Sequence, residues 1–202
     1  MLLWFFEKGS KLTKNQNPMK NLLWLLLIMA MGTQAQMIPV ETQINEATMA
    51  LDEKDRNGAG VYGYDAEGKL ITLRESSNKL ICLSDNPKLG GFNVACYHED
   101  LEPFMARGRA LKAEGKNTGE IEKIREFEAN NGTLMMPKNA STLYVLSGED
   151  KESANLRWVV YIPFATAEST GLPTKPLVAG GPWIMFPGTY RAHIMITPPK
   201  QD

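Results

Sequence analysis

Two cysteines, Cys82 and Cys96, are the residues whose types and spacing point most directly to chemistry. They stand 14 positions apart, and each lies within a strand-like run. In an exported protein, an even number of cysteines favours a disulfide. A redox or metal-binding pair is the alternative, although the Cys-x-x-Cys spacing typical of such pairs is absent. We therefore predict a structural disulfide between Cys82 and Cys96.

His193, Arg191 and Glu168 are the candidate catalytic residues. Strand alternation along 190–196 places Arg191 and His193 on one face, where they can line a polar pocket. Glu168 stands in a long connection that could close over that face. Such a site would suit a secreted hydrolase or a metal-dependent enzyme, since a histidine can transfer protons or bind a metal. A solvated or internally hydrogen-bonded face is the alternative, and no Gly-x-Ser-x-Gly motif supplies a nucleophilic serine.

The other histidine, His98, precedes Glu99 and Asp100 where a strand gives way to a helix. His98, Glu99 and His193 are the candidate metal ligands. Adjacent side chains point in different directions, and Glu102 stands where a His-Glu-x-x-His motif needs its second histidine. The alternative is structural, because acidic residues in the first turn of a helix interact favourably with the helix dipole.

The elements that must position these residues follow the order helix, strands, two helices, strands. Apolar spacing predicts an N-terminal helix after Pro39, which ends before Gly58. Changes of period then predict four strands over 61–97, helices over 99–114 and from an N-cap at Thr118, and a return to strands at 142–146, 156–162, 183–186 and 190–196. This order indicates one α+β domain over 36–202 with a mostly antiparallel sheet.

Four aromatic residues lie in the strongest strand patterns and are expected in the core: Tyr161, Trp158, Trp183 and Phe186. The connection 163–182 is rich in proline and glycine. A connection of that length without structure is uncommon, and it is usually functional or mobile. A proline-stiffened surface loop is the simpler interpretation.

Residues 19–35 have the pattern of a secretory signal peptide. Lys20 gives the positive start, residues 22–31 form an apolar run, and small residues at 33 and 35 mark a cleavage site before Gln36. The run is short for a bilayer span, which takes roughly 20 apolar residues, although a membrane anchor is the alternative. Residues 1–18 fit no part of a signal, so we interpret them as a mis-called start. The mature chain is predicted to be secreted or periplasmic, with no stable membrane span.

The charge balance argues against a dedicated nucleic-acid binder, whose footprint is basic. The 22 basic and 23 acidic residues give a net charge of −1, and removal of residues 1–35 leaves −4. Two cysteines are too few for a disulfide-rich scaffold. The run 58–63 matches the dinucleotide fingerprint but leads into a strand, the reverse of the required order. No cofactor is predicted, and the composition names no partner.

Three stretches together carry a family resemblance. They are Cys82-Leu83-Ser84-Asp85-Asn86-Pro87 with Cys96, the helix that follows, and the end of the chain with Pro182-Trp183-Ile184-Met185 and His193-Ile194-Met195-Ile196. Over about 60–197, the chain resembles an uncharacterised family of bacterial secreted proteins. That resemblance implies export and a single domain, and it implies no activity. The sequence thus favours a non-catalytic binding or envelope-associated module over the hydrolase and redox alternatives.

Overall fold

The computed structural model describes residues 38–199. The predicted start at 1–18 and signal at 19–35 lie outside the described residues. Within 38–199 the α-helices are α1 Val40–Ala47, α2 Glu53–Arg56, α3 Glu102–Ala113, α4 Thr118–Asn130 and α5 Ala167–Thr170. The strands are β1 Gly60–Tyr64, β2 Leu70–Arg74, β3 Leu80–Leu83, β4 Phe92–His98, β5 Ser141–Gly148, β6 Asn155–Tyr161, β7 Trp183–Met185 and β8 His193–Ile196. Short 3-10 turns extend α1 over Thr48–Ala50 and precede α3 over Glu99–Leu101.

All eight strands of the described chain form one sheet in the order β2-β1-β3-β4-β5-β6-β8-β7. Its neighbouring strands are antiparallel, except that β1 and β3 run parallel. The predicted α+β class, mostly antiparallel sheet and central helix pair are confirmed.

Two apolar clusters cover opposite faces of the sheet, because successive strand residues point to opposite sides. We call the first the α1 face; its buried residues include Ala47, Leu51, Val61, Cys82, Phe92, Val94 and Cys96. We call the second the α3–α4 face; its buried residues include Tyr97, Leu101, Phe104, Ala129, Leu143, Val159 and Tyr190. The residues of β4 alternate between the two clusters, so this strand lies at the centre of the fold.

The predicted disulfide joins β3 and β4. Cys82 and Cys96 are directly opposite in the antiparallel register, with Cα atoms 4.0 Å apart. Both residues are 0% exposed. The Sγ atom of Cys96 lies 3.2 Å from the carbonyl oxygen of Ala47, so α1 packs directly on the bridge. The redox alternative needs an accessible pair, and this burial counts against it.

A buried glutamine fixes α1 against the sheet. The Gln43 amide donates to the carbonyls of Ile38 and Tyr64, at 3.0 and 2.9 Å, and its oxygen accepts the Tyr64 N–H at 2.7 Å. A Cβ on Gly63 would lie 2.6 Å from that amide oxygen, so the close approach requires glycine. Every polar group that this contact buries is therefore paired, as buried amides require.

On the α3–α4 face, polar contacts join the helices to each other and to the sheet. The Tyr97 hydroxyl donates to Glu102 at 2.5 Å and accepts from Arg109 at 2.9 Å. The Arg107 guanidinium on α3 bonds both carboxylate oxygens of Glu128 on α4. Such bidentate pairs add orientation as well as attraction.

The predicted N-terminal helix is divided into α1, its 3-10 turn and the separate helix α2, because Leu51 between them has an extended backbone. Other element boundaries also differ from the predictions. The N-cap of α4 is Asn117, whose side chain forms a capping box with Glu120, and not Thr118. Strand β7 begins at Trp183 as predicted, but it ends at Met185 and not at Phe186, because Phe186 adopts a positive φ of 53°. The final strand begins at His193, since residues 189–192 form a turn closed by the Ala192 N–H on the Thr189 carbonyl at 3.0 Å.

Candidate functional site

His193 lies at the start of β8, opposite Tyr161 of β6 and Met185 of β7. It is 7% exposed, and its ring packs on those of Tyr161 and Phe186, at centroid distances of 5.1 and 5.9 Å. Its Nδ1 atom is 2.6 Å from the Arg191 carbonyl oxygen. A carbonyl only accepts, so Nδ1 carries the proton. Burial lowers the pKa of His193, which favours the neutral imidazole.

Arg191 lies in the turn before β8 and not in the strand itself. Its guanidinium stacks on the Phe186 ring at 3.9 Å and forms an ion pair with Glu122 of α4. The Tyr190 hydroxyl donates to the Glu122 backbone carbonyl at 3.1 Å. The turn is therefore fastened to α4 by its two neighbouring side chains.

Glu168 does not join this arrangement. It is exposed at the start of α5, where hydrogen bonds from its own amide and from the Thr166 hydroxyl lower the pKa of its carboxyl. The Ser169 hydroxyl is used in the capping box with Thr166. No hydrogen bond or ion pair within residues 38–199 links Glu168 to His193. The hydrolase site built from His193, Arg191 and Glu168 stays a prediction.

His98 and His193 are separated by the sheet. They lie on β4 and β8, three strand spacings apart or about 14 Å. Their side chains belong to opposite faces, since His98 alternates with the buried Tyr97 of the α3–α4 face. The Nδ1 atom of His98 accepts from the Asp100 N–H at 3.3 Å, and Glu99 pairs with Lys79 at 3.2 Å. His98 thus begins the turn that leads into α3, as the structural alternative predicts.

A metal site of the predicted kind is not assembled from the described residues. Within 38–199, no group of three or more His, Cys, Asp or Glu side chains is arranged to hold a metal ion. The candidate ligands His98 and Glu99 bond to their own neighbours, and His193 lies on the other face. The joint site of the two histidines is therefore not formed.

The expectation that all four strand aromatics lie in the core is wrong for Phe186 and Trp158, which are 38% and 43% exposed. Phe186 shares its setting with Phe164, which is 46% exposed. Both have left-handed backbones, with φ of 64° at Phe164 and 53° at Phe186. This conformation is an outlier for a bulky residue and costs of order 1–3 kcal/mol. The surrounding structure therefore holds two exposed rings in strained positions.

Backbone hydrogen bonds hold these two turns side by side. The Phe164 N–H donates to the Thr189 carbonyl at 2.8 Å, and the Gly188 N–H donates to the Ala165 carbonyl at 2.7 Å. The Thr189 hydroxyl donates to the Phe186 carbonyl at 2.8 Å. The start of the long connection is thus anchored to the turn before β8.

Arg125 on α4 completes the site, and sequence reasoning missed it. Its guanidinium lies 4.1 Å from the Phe104 ring centroid, and its buried Nε atom has no hydrogen-bond partner. Among residues 38–199 it forms no ion pair with a carboxylate, and burial lowers its pKa. A Cβ on Gly108 would lie 3.0 Å from Nη1, so glycine leaves room for the guanidinium. The one available signal was its position four residues after Ile121, on the inward stripe of α4.

We define the aromatic–arginine patch as Phe164, Phe186, Arg191 and Arg125. It lies at the α4 end of the α3–α4 face, and only one of its two guanidinium groups is neutralised, by Glu122. The patch offers exposed rings and a second guanidinium, that of Arg125, which donates to the Phe104 carbonyl at 3.4 Å and has no carboxylate partner among residues 38–199. It lacks the nucleophile and base arrangement of a hydrolase.

Comparison of the chain with protein-family models, curated proteins and solved structures found no match. The helices among residues 38–199 all fall short of the length and apolar character that a bilayer crossing requires.

Proposed function

We propose that this is an exported, non-catalytic binding module that binds a protein partner through the aromatic–arginine patch. The observation that carries the proposal is the pair of exposed phenylalanines, Phe164 and Phe186, held with left-handed backbones beside Arg191. Strain of this kind persists only where the surrounding structure imposes it, and it is concentrated at binding and active sites.

The composition of the patch favours a protein partner over a small molecule. Aromatic residues and arginine are enriched among the residues that dominate interface affinity. Phe164 and Phe186 lie in turns with exposed rings, and burial of these rings under a partner would remove apolar surface from water.

The charge of the patch favours an acidic partner. Glu122 neutralises Arg191, whereas Arg125 forms no ion pair in the described chain and keeps a buried N–H unsatisfied. A carboxylate from a partner would give the Arg125 guanidinium the ion pair that it lacks in the described chain. The partner segment therefore presents an apolar side chain next to an aspartate or glutamate.

Export is the second part of the proposal. The signal-like pattern at 19–35 and the resemblance to secreted proteins support it, as does the disulfide, which persists in oxidising compartments. Cell fractionation with N-terminal sequencing tests it directly. We expect a mature chain that starts at Gln36 outside the cytosol, with both cysteines oxidised. A full-length cytosolic chain with two free thiols would contradict export.

Photocrosslinking in cells tests the binding surface. We expect the full chain with p-benzoylphenylalanine in place of Phe164 or Phe186 to crosslink to one discrete partner. Phe127 is the matched control, because it is 71% exposed and is turned by about 200° from Arg125 around α4. Replacement of Arg125 by glutamine should reduce the crosslinked product. Equal crosslinking at Phe127, or none at either patch position, would overturn the proposal.

A further inference from the structure

A separate cavity of about 240 Å³ lies on the α1 face. Trp158, Tyr144, Leu156 and Leu80 form its walls, and Asp52 and Asp55 are its charged residues. Trp158 belongs to the opposite side of β6 from Tyr161, so the sheet separates this cavity from the aromatic–arginine patch. Ligand binding in this cavity can therefore be measured independently of the proposed function.

An aromatic pair forms the wall of the cavity. Trp158 of β6 is directly opposite Tyr144 of β5 in the antiparallel register, so both side chains lie on the same face. Trp158 is 43% exposed even though it occupies a strand. Its ring is therefore available to a ligand that enters the cavity.

Two unpaired carboxylates supply the charge. Asp52 precedes α2 as its N-cap residue, yet its side chain makes no capping hydrogen bond. The Asp55 carboxylate likewise makes no hydrogen bond among residues 38–199; its backbone carbonyl accepts from Asn78 at 2.8 Å, and its N–H donates to the Asp52 carbonyl at 2.9 Å. Neither carboxylate has an ion-pair partner among residues 38–199, and no lysine or arginine lines the cavity with them. The cavity is thus an aromatic recess with negative charge and no internal counterion.

We infer that this cavity binds an organic cation through an ammonium or guanidinium group. Tryptophan gives the strongest cation–π attraction of the aromatic residues. The carboxylates accept hydrogen bonds, and an ammonium group only donates them, so the two sides are complementary. The cavity volume of about 240 Å³ is smaller than the roughly 300–1,000 Å³ of sites for drug-sized ligands. It therefore fits a small amine or the end of one side chain. An anionic ligand would meet two carboxylates with no neutralising residue.

NMR of the ¹⁵N-labelled protein tests the inference with butylammonium as the probe and butanol as its neutral counterpart. The indole N–H signal of Trp158 is assigned from a Trp158→Phe variant, since the sequence has four tryptophans. We expect butylammonium to shift this signal saturably, while the signal of Trp183 stays in place. Butanol should bind at least tenfold more weakly, because it has the shape of the probe without its charge.

Paired charge variants separate local recognition from bulk attraction. In D52N/D55N the dissociation constant for butylammonium should rise at least tenfold. These substitutions remove no capping hydrogen bond, and an unchanged thermal unfolding midpoint verifies the fold. The matched control is E67Q/E152Q, which removes the same charge from exposed positions outside the cavity and should bind like the wild type.

Two sources of the cation are distinguished by a further titration with N-acetyl-lysine methylamide. Tighter binding of this compound than of butylammonium supports a lysine side chain of another protein as the occupant. Equal or weaker binding supports a free amine. The inference is overturned if the Trp158 signal does not respond to butylammonium, if butanol binds equally well, or if D52N/D55N and E67Q/E152Q behave alike.

Discussion

The two faces of the sheet are built by different means. Beneath α1, most of the buried residues are alanine, valine or cysteine, and a disulfide joins two central strands. The amide of Gln43 there is fully paired with the backbone. On the α3–α4 face, rings and arginines fill the space, Arg125 keeps an unsatisfied N–H, and Phe164 has a left-handed backbone next to the turn of Arg191.

This difference separates stability from binding. Satisfied polar groups accompany a buried core whose role is to hold the fold. Unpaired polar atoms and strained residues lower stability, so they persist where another property is served. The α1 core is therefore the scaffold, and the aromatic–arginine patch is the region that we propose for partner binding.

The largest effect is expected from removal of the disulfide. The C82A/C96A variant should lose about 3 kcal/mol of unfolding free energy, because the bridge restricts a loop of 14 residues in the unfolded chain. Urea unfolding with and without a reductant measures this loss, and reduced wild type is the control. Crosslinking from position 164 should survive under conditions where the variant is folded. Loss of crosslinking in the folded variant would contradict the separation of the two faces.

The scaffold was predictable because its signals are local in the sequence. Strand runs around Cys82 and Cys96, together with an even cysteine count, indicated the bridge, and Gly68, with a φ of 74°, marked the hairpin between β1 and β2. The register that sets the two cysteines opposite each other depends on contacts between strands, and no local pattern encodes it.

The patch was not predictable for the same physical reason. Phenylalanine disfavours positive φ, so nothing in the run 163–165 indicates the conformation of Phe164. Its backbone depends on the Thr189 carbonyl, which is 25 residues away in the chain. Alternation along 190–196 placed Arg191 in a strand because the turn closed by Thr189 was not recognised.

A smaller, stabilising effect on the unfolding free energy is expected when glycine and not alanine replaces Phe164. Glycine there relieves the left-handed strain, so F164G should be about 1 kcal/mol more stable than F164A, in which the strain remains. Both variants lose the same ring, which makes F164A the matched control. Chemical denaturation gives the two free energies. Equal stabilities, or a more stable F164A, would show that the backbone at this position is not strained.

The smallest effect is the pH dependence that His193 gives to stability. Because burial lowers its folded-state pKa, the unfolded chain binds more protons than the native chain as pH falls through and below about 6.5. His193 therefore makes the protein less stable at pH 5.5 than at pH 7.5.

His193→Asn keeps a donor for the Arg191 carbonyl and removes this titration. Its unfolding free energy should change less between the two pH values than that of the wild type. His98→Asn, which removes the other histidine at a more exposed position on the other face, is measured alongside as the matched substitution. An unchanged pH dependence in His193→Asn would mean that this histidine is protonated equally in both states, and it would contradict the neutral imidazole assigned to His193.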